Sequence, residues 1–323
     1  MPRQARLDVT GTLHHVIIRG IERRIIVNDR QDRDAFVARI GDLATDTKTA
    51  IYAWGLLTNH AHILLRSGPD GLSNFMRRFL TGYSVTYNRR HKRHGHLFQN
   101  RYKSIVCDED SYLLELVRYI HLNPLRAKLV KNLTELEEYR WCGHGVMCGK
   151  ITHTWQDSDF VLQNFGAKKE DAIKSYRIFV EDGIPAGKRP ELVGGGLIRS
   201  QGGWAEVVSL RRHGERELAD ERILGSGKFV ERILAEAEEK QRHHFSVNGR
   251  RQQVTDVIKK LCKETNINIG ELQSGSRRQH VSQARSNIAK RLVLTYGVPM
   301  AEAARELGVT TSAISKIIRS KKQ

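Results

Sequence analysis

Residues 59–66 read NHAHILLR, and the fold follows from how this stretch is taken. An alternation of polar and apolar residues running into Ile63-Leu64-Leu65 reads as a strand. Side chains two apart in a strand share a face, so His60 and His62 project together. Two imidazoles so placed can reach one metal ion, and alternating histidines are also found as plain polar surface. A nucleotide hydrolase of the H-φ-H-φ-H type would carry a third histidine, where this chain has Leu64. Outward from here, His14 to Arg19 (HHVIIR) and Ile51 to Thr58 (IYAWGLLT) are further strands, rich in β-branched and aromatic residues. Asp32 to Thr47 carries Phe36, Val37, Ile40, Leu43 and Ala44 at helical spacing, and Leu72 to Arg90 repeats Phe75, Phe79, Tyr83 and Tyr87 every four residues. Leu97 to Cys107 returns to strand, and Asp108 can cap a helix that runs to His121. The order β-α-β-β-α-β plus one helix predicts an α+β fold. Its centre is a ferredoxin-like antiparallel sheet with helices over one face.

The whole chain has 323 residues, room for two compact domains and a connector. Its 54 Lys+Arg exceed its 36 Asp+Glu by 18, which calls for a polyanionic partner, nucleic acid before an anionic membrane. No run approaches the roughly 18 apolar residues of a membrane span, and the opening MPRQARLDVT has no apolar core. Four cysteines in a chain this long do not make a disulfide framework, so a cytoplasmic protein is expected.

A second element lies in RYIHLNP, residues 118–124. Tyr119 and Asn123 are four apart, and a helix reaching Asn123 would stack them on one face before Pro124 stops it. A tyrosine oxygen can attack a phosphodiester and hold it as an ester. An amide oxygen one turn on is a hard ligand for Mg²⁺ or Mn²⁺. The plainer reading packs Tyr119 on the sheet and makes Asn123 a cap.

Together the H-A-H strand and Y-x-x-x-N before P-L-R-A resemble the single-tyrosine transposases with a histidine-hydrophobic-histidine (HUH) motif. The tract YIHLNPLRAKLV, with TGTLHHVIIRGIERRIIV and HLFQNRYKSIVCDED, looks particularly like the REP-associated tyrosine transposases, over residues 5 to 165. The resemblance implies cleavage and rejoining of single-stranded DNA, with Tyr119 as nucleophile and His60, His62 and Asn123 as ligands of Mg²⁺ or Mn²⁺. Tyr83 and Tyr87 are the runner-up nucleophiles.

Arg77, Arg78, Arg89, Arg90, Arg93, Arg101 and Lys103 fall in a stretch without acids, interleaved with aromatics, as single-strand binding requires. The aromatics of the helix read chiefly as core. Cys142, His144 and Cys148 lack a fourth zinc ligand at proper spacing, His153 being unsupported, and read as a loop with free thiols. Ten glycines between 183 and 227 indicate a connector, partly helical with a short helix at roughly Gly227 to Arg242, giving domains 1–170, 171–246 and 247–323. In the last, Met300 to Leu307, a turn at Gly308 and Thr311 to Arg319 read as a helix-turn-helix with Ala304 at the crossing and Val309, Ile314 and Ile317 inside. Ser312, Ser315, Lys316 and Arg319 would face a DNA groove, joined by Arg277, Arg278 and Arg285. Residues 247 to 320 resemble the DNA-binding domain of the replication initiator DnaA, through INIGEL and SRRQHVSQAR. Its base-reading D-H-T-T is replaced here by Val309-Thr310-Thr311-Ser312, and no phosphate loop is present.

The expected partners are hairpin or single-stranded DNA and duplex DNA, with a site built in one chain or shared in a homodimer. A replication or mobilisation nickase is the alternative of like chemistry. A non-enzymatic DNA-binding regulator derived from a transposase is the alternative from another class.

Overall fold

Aliphatic residues dominate Leu13–Arg19 (β1), and every residue but Arg19 is buried. Such a strand needs a neighbour on each side. The computed structural model describes residues 7–99, 102–187, 189–193, 218–243, 247–276 and 278–319. In it β1 is the centre of a five-stranded sheet of order β2-β3-β1-β4-β5. The others are β2 (Ala50–Leu56), β3 (His60–Arg66), β4 (Lys103–Cys107) and β5 (Ile223–Leu224). Four strands pair antiparallel, as the sequence predicts, while β5 joins β4 in parallel. A two-residue strand is too short to show an alternation, so β5 leaves no sequence signal.

The chain divides into two compact units, Met1–Phe75 with His96–Lys240, and Met76–Gly95 with Gln241–Gln323. In the first, α1 (Arg30–Thr47) is capped by Asp29, whose carboxylate accepts from the Asp32 amide. After α2 (Gly71–Arg90), most of which belongs to the second unit, α3 (Glu109–His121) covers one sheet face. Its Leu116, Val117 and Ile120 pack with Leu13, Ile17 and Leu64. Four short helices follow: α4 (Asn123–Arg126), α5 (Leu133–Glu138), α6 (His144–Met147) and α7 (Ser158–Leu162).

In the stretch read as a connector the helix expected from Gly227 is present, while the described residues also pack into the cores, which a connector would not. Helix α8 (Lys169–Asp182) buries Ala172, Tyr176 and Val180 in the core of the sheet, and Leu192 joins them. Helix α9 (Gly227–His243) sets Phe229, Val230 and Ile233 against Val106, Leu7 and Val9. Glycine content misleads here because the glycines cluster in 194–217, outside the described residues, between segments that carry apolar stripes.

In the second unit, α2 joins five helices: α10 (Val247–Glu264), α11 (Ile269–Gln273), α12 (Gln279–Lys290), α13 (Met300–Glu306) and α14 (Thr311–Arg319). Ile258, Leu261, Leu272, Leu292, Leu307 and Ile314 form its core, with Val85 of α2 packed against it. Gly308 turns the chain between α13 and α14 at φ +64°, and a Cβ there would lie 2.1 Å from the Gln273 carbonyl oxygen. Only glycine fits that turn. Ile318 takes the inner position beside Ile314, with Ile317 half-buried. No helix among the described residues is long and apolar enough to cross a membrane.

Candidate active site

Because alternate residues of a strand share a face, β3 presents His60 and His62 together, ring centroids 5.3 Å apart. Helix α3 crosses this face closely. Opposite His62 on β2 stands Gly55, where a Cβ would lie 3.1 Å from the Ile120 carbonyl oxygen. The missing side chain lets the helix settle and brings Tyr119 edge-on to His62, at 5.8 Å between centroids. Sequence reasoning joined these three residues, and they are neighbours in space. It missed a fourth. His15 on β1 stacks on His62 at 5.1 Å and meets Tyr119 at 6.0 Å. The signal was present in HHVIIR, since His15 alternates with Leu13 and Ile17, but only strand pairing puts β1 beside β3.

Burial sets the electrostatics. It lowers His60 to about 4, with the Arg19 cation across the strand pair adding to the effect. It also takes His62 well below its ordinary value, helped by His15 and His60. Both rings are therefore neutral, the form that binds metal. The Tyr119 phenol is pushed up by burial, and the guanidinium of Arg126, 5.4 Å over its ring, works the other way. Arg126 also donates to the Tyr119 and Gly183 carbonyl oxygens, both at 3.3 Å.

The two imidazoles fit a divalent cation. Nδ1 of His60 is bonded to Asn59 Oδ1 at 2.7 Å, and Nδ1 of His62 to His15 Nε2 at 2.9 Å, so each ring keeps Nε2 for a ligand. Asn123 does not extend α3, which ends at His121. It opens α4 after Leu122, with Pro124 in the first turn. Its side chain is buried and its Nδ2 has no hydrogen-bond partner. A second group brings ligand atoms within 4.8 Å: His144 and Cys148 with Glu137, rather than with Cys142 or His153. Here Arg177 already pairs with Glu137 at 2.9 Å, and the four cysteines are buried free thiols.

The residues expected at DNA sort by burial. Arg78 and Arg285 are buried, against expectation, and serve the fold of the second unit. Arg78 Nε donates to the Thr295 carbonyl at 2.8 Å, and Arg285 donates to the carbonyls of Leu272 and Ser276 at 2.8–2.9 Å. Arg77 and Arg89 donate to the carbonyls of Gly297 and Ile318. Arg93 lies 5.8 Å over the Tyr87 ring, and in the first unit Lys103 donates to the Val193 carbonyl at 2.6 Å. Arg90, Arg278, Ser312, Lys316 and Arg319 are exposed, and Ser315 is half-buried. Arg101 and Arg277 lie outside the described residues. Tyr83 and Tyr87 are buried.

Residues 8–123 match the family model described as transposase, IS200 like. A solved REP-associated tyrosine transposase bound to a REP hairpin is similar in structure, with 18% sequence identity and a TM-score of 0.38. The match covers 48% of this chain and 91% of that one. No curated protein matches. The histidine pair, Tyr119 and Asn123 all fall inside the matched segment, so the similarity to IS200-like transposases covers the candidate site.

Proposed function

We propose that the protein cleaves and rejoins single-stranded DNA, beside hairpin-forming repeats, through Tyr119. The observation that carries this reading is the Tyr119 ring set against His62 inside a segment of the IS200-like family. The phenolic oxygen attacks the scissile phosphorus and gives up its proton, and the bond from phosphorus to the 3′ oxygen breaks. A 5′-phosphotyrosine and a protonated 3′-hydroxyl result. Rejoining reverses the step with a second 3′-hydroxyl, and because the ester energy is conserved no nucleotide is consumed. His60, His62 and Asn123 would hold Mg²⁺ or Mn²⁺, which would supply Lewis-acid polarisation of the phosphate. Burial keeps both imidazoles neutral for that task, while Arg126 favours the phenolate that burial opposes.

The second unit binds duplex DNA through the exposed Arg278, Ser312, Lys316 and Arg319, in the manner of a helix-turn-helix, and Arg90 and Arg93 follow the single strand. The protein works in the cytoplasm. A labelled hairpin oligonucleotide incubated with Mg²⁺ tests the reading. Wild type should nick it and carry a covalent adduct, and Tyr119→Phe should bind the hairpin nearly as well but form no adduct. Undiminished adduct in that variant ends the assignment of Tyr119. Binding by wild type without nicking under any divalent ion favours a regulator instead.

A further inference from the structure

His15 and Leu192, neither of them among the predicted site residues, reach His62 through a chain of hydrogen bonds whose direction can be worked out. It begins at a backbone carbonyl. His15 Nδ1 lies 3.0 Å from the Leu192 oxygen, which can only accept, so Nδ1 carries the proton. His15 is wholly buried and its ring nitrogens meet only the Leu192 carbonyl and the His62 imidazole, partners that would not compensate a buried charge, so the ring carries one proton and its Nε2 is a bare acceptor. His62 Nδ1, 2.9 Å away, must then be the donor, which leaves the lone pair of His62 on Nε2. A second chain runs in parallel. Asn59 Nδ2 donates to the Arg23 carbonyl at 3.1 Å, turning its Oδ1 toward His60 Nδ1 at 2.7 Å. His60 is therefore also an Nδ1–H tautomer with Nε2 bare.

We propose that His15 is a positioning residue of the metal site. It takes its orientation from the Leu192 carbonyl and holds His62 in the one tautomer whose Nε2 can bind a cation. This rests on the reading of His60 and His62 as ligands. Histidine ligands commonly donate their second ring nitrogen to a carbonyl or carboxylate. Here a neutral imidazole fills that place, itself anchored by a carbonyl 177 residues away in sequence. The consequence is that the segment around Leu192, beyond the family-matched residues, takes part in metal binding without touching the metal. Leu192 is suited to this because its side chain is buried in the core of the sheet, which fixes the carbonyl beneath His15.

The test uses the full chain and Mn²⁺ alone, without DNA. Long-range ¹H–¹⁵N NMR of histidine-labelled wild type, free of metal, should show His15, His60 and His62 protonated on Nδ1. Free Mn²⁺ measured by electron paramagnetic resonance should show one site, lost in His62→Ala. His15→Leu should weaken that site about 10- to 100-fold. His15→Gln, whose amide oxygen can still accept from His62, should recover most of the loss, which a general packing defect would not. His62 protonated on Nε2 in wild type overturns the proposal even if no variant folds. So does unchanged Mn²⁺ affinity in a folded His15→Leu protein. Wild type that binds no Mn²⁺, or binds it equally after His60→Ala and His62→Ala, overturns the metal reading and the relay with it.

Discussion

The sheet unit and the helical unit are both rich in polar and cationic groups, and they bury them to different ends. In the sheet unit the buried imidazoles of His15 and His62 are bonded to each other at the centre of the candidate chemistry, with a ring nitrogen of His62 left over. In the helical unit the buried guanidiniums of Arg78 and Arg285 end on backbone carbonyls and hold helices in place. A net charge of +18 therefore overstates the surface available to DNA, because part of it is structural. Burial, more than charge, separates the candidate binding residues from the supporting ones.

The widest break in this comparison comes from the proposed metal ligands. His60→Ala or His62→Ala, or a chelator added to wild type, should abolish hairpin nicking, with the Asn123→Ala effect milder because water can replace a neutral oxygen. Nicking that survives chelation would leave the buried histidines without the role given them. Next comes a fragment ended at residue 170. It lacks Tyr176, whose hydroxyl bonds His121 and His144 at 2.7 Å, and also Val180, Leu192 and β5. Circular dichroism should find it unfolded, and a folded, active fragment would restore the connector reading of 171–246.

The helical unit offers a smaller and more discriminating contrast. Arg285→Ala should lower its stability by about 2–3 kcal/mol, since buried carbonyls lose a charged donor. Exposed Arg278→Ala and Lys316→Ala should leave stability within about 0.5 kcal/mol. Each of those two should instead flatten the log–log salt dependence of duplex binding by about 0.9. Denaturation and binding curves on the same variants check both halves, and a reversed pattern would undo the sorting by burial.

The smallest effect concerns acid. The unfolded chain takes up protons at its histidines below about 6.5, whereas His15 and His60 resist until about 4. Their folded values are depressed, so stability should decline as pH falls through that window and be recovered above it. Residues 76–95 and 241–323 of the helical unit carry no tryptophan, so tryptophan fluorescence does not report that unit. A flat profile between pH 6.5 and 4 would mean that these rings are not held neutral.

Residue order alone determined much of this protein. Period-two and period-four patterns located four strands and the helices around them, because a half-buried strand or helix must repeat its apolar side chains. The spacing of His60, His62 and Tyr119 was legible for the same reason, as each lies on a regular element. What only the tertiary structure decided depends on pairing between distant segments. His15 came beside His62 through strand pairing, and Leu192 beside His15 through a carbonyl, a group that every residue has and no side-chain pattern marks. Arg285 looked like Arg278 in sequence, and only packing told them apart. The two-residue β5 and the buried stripe of α8 draw their meaning from the sheet edge and core they complete, surfaces that exist only after the chain has folded.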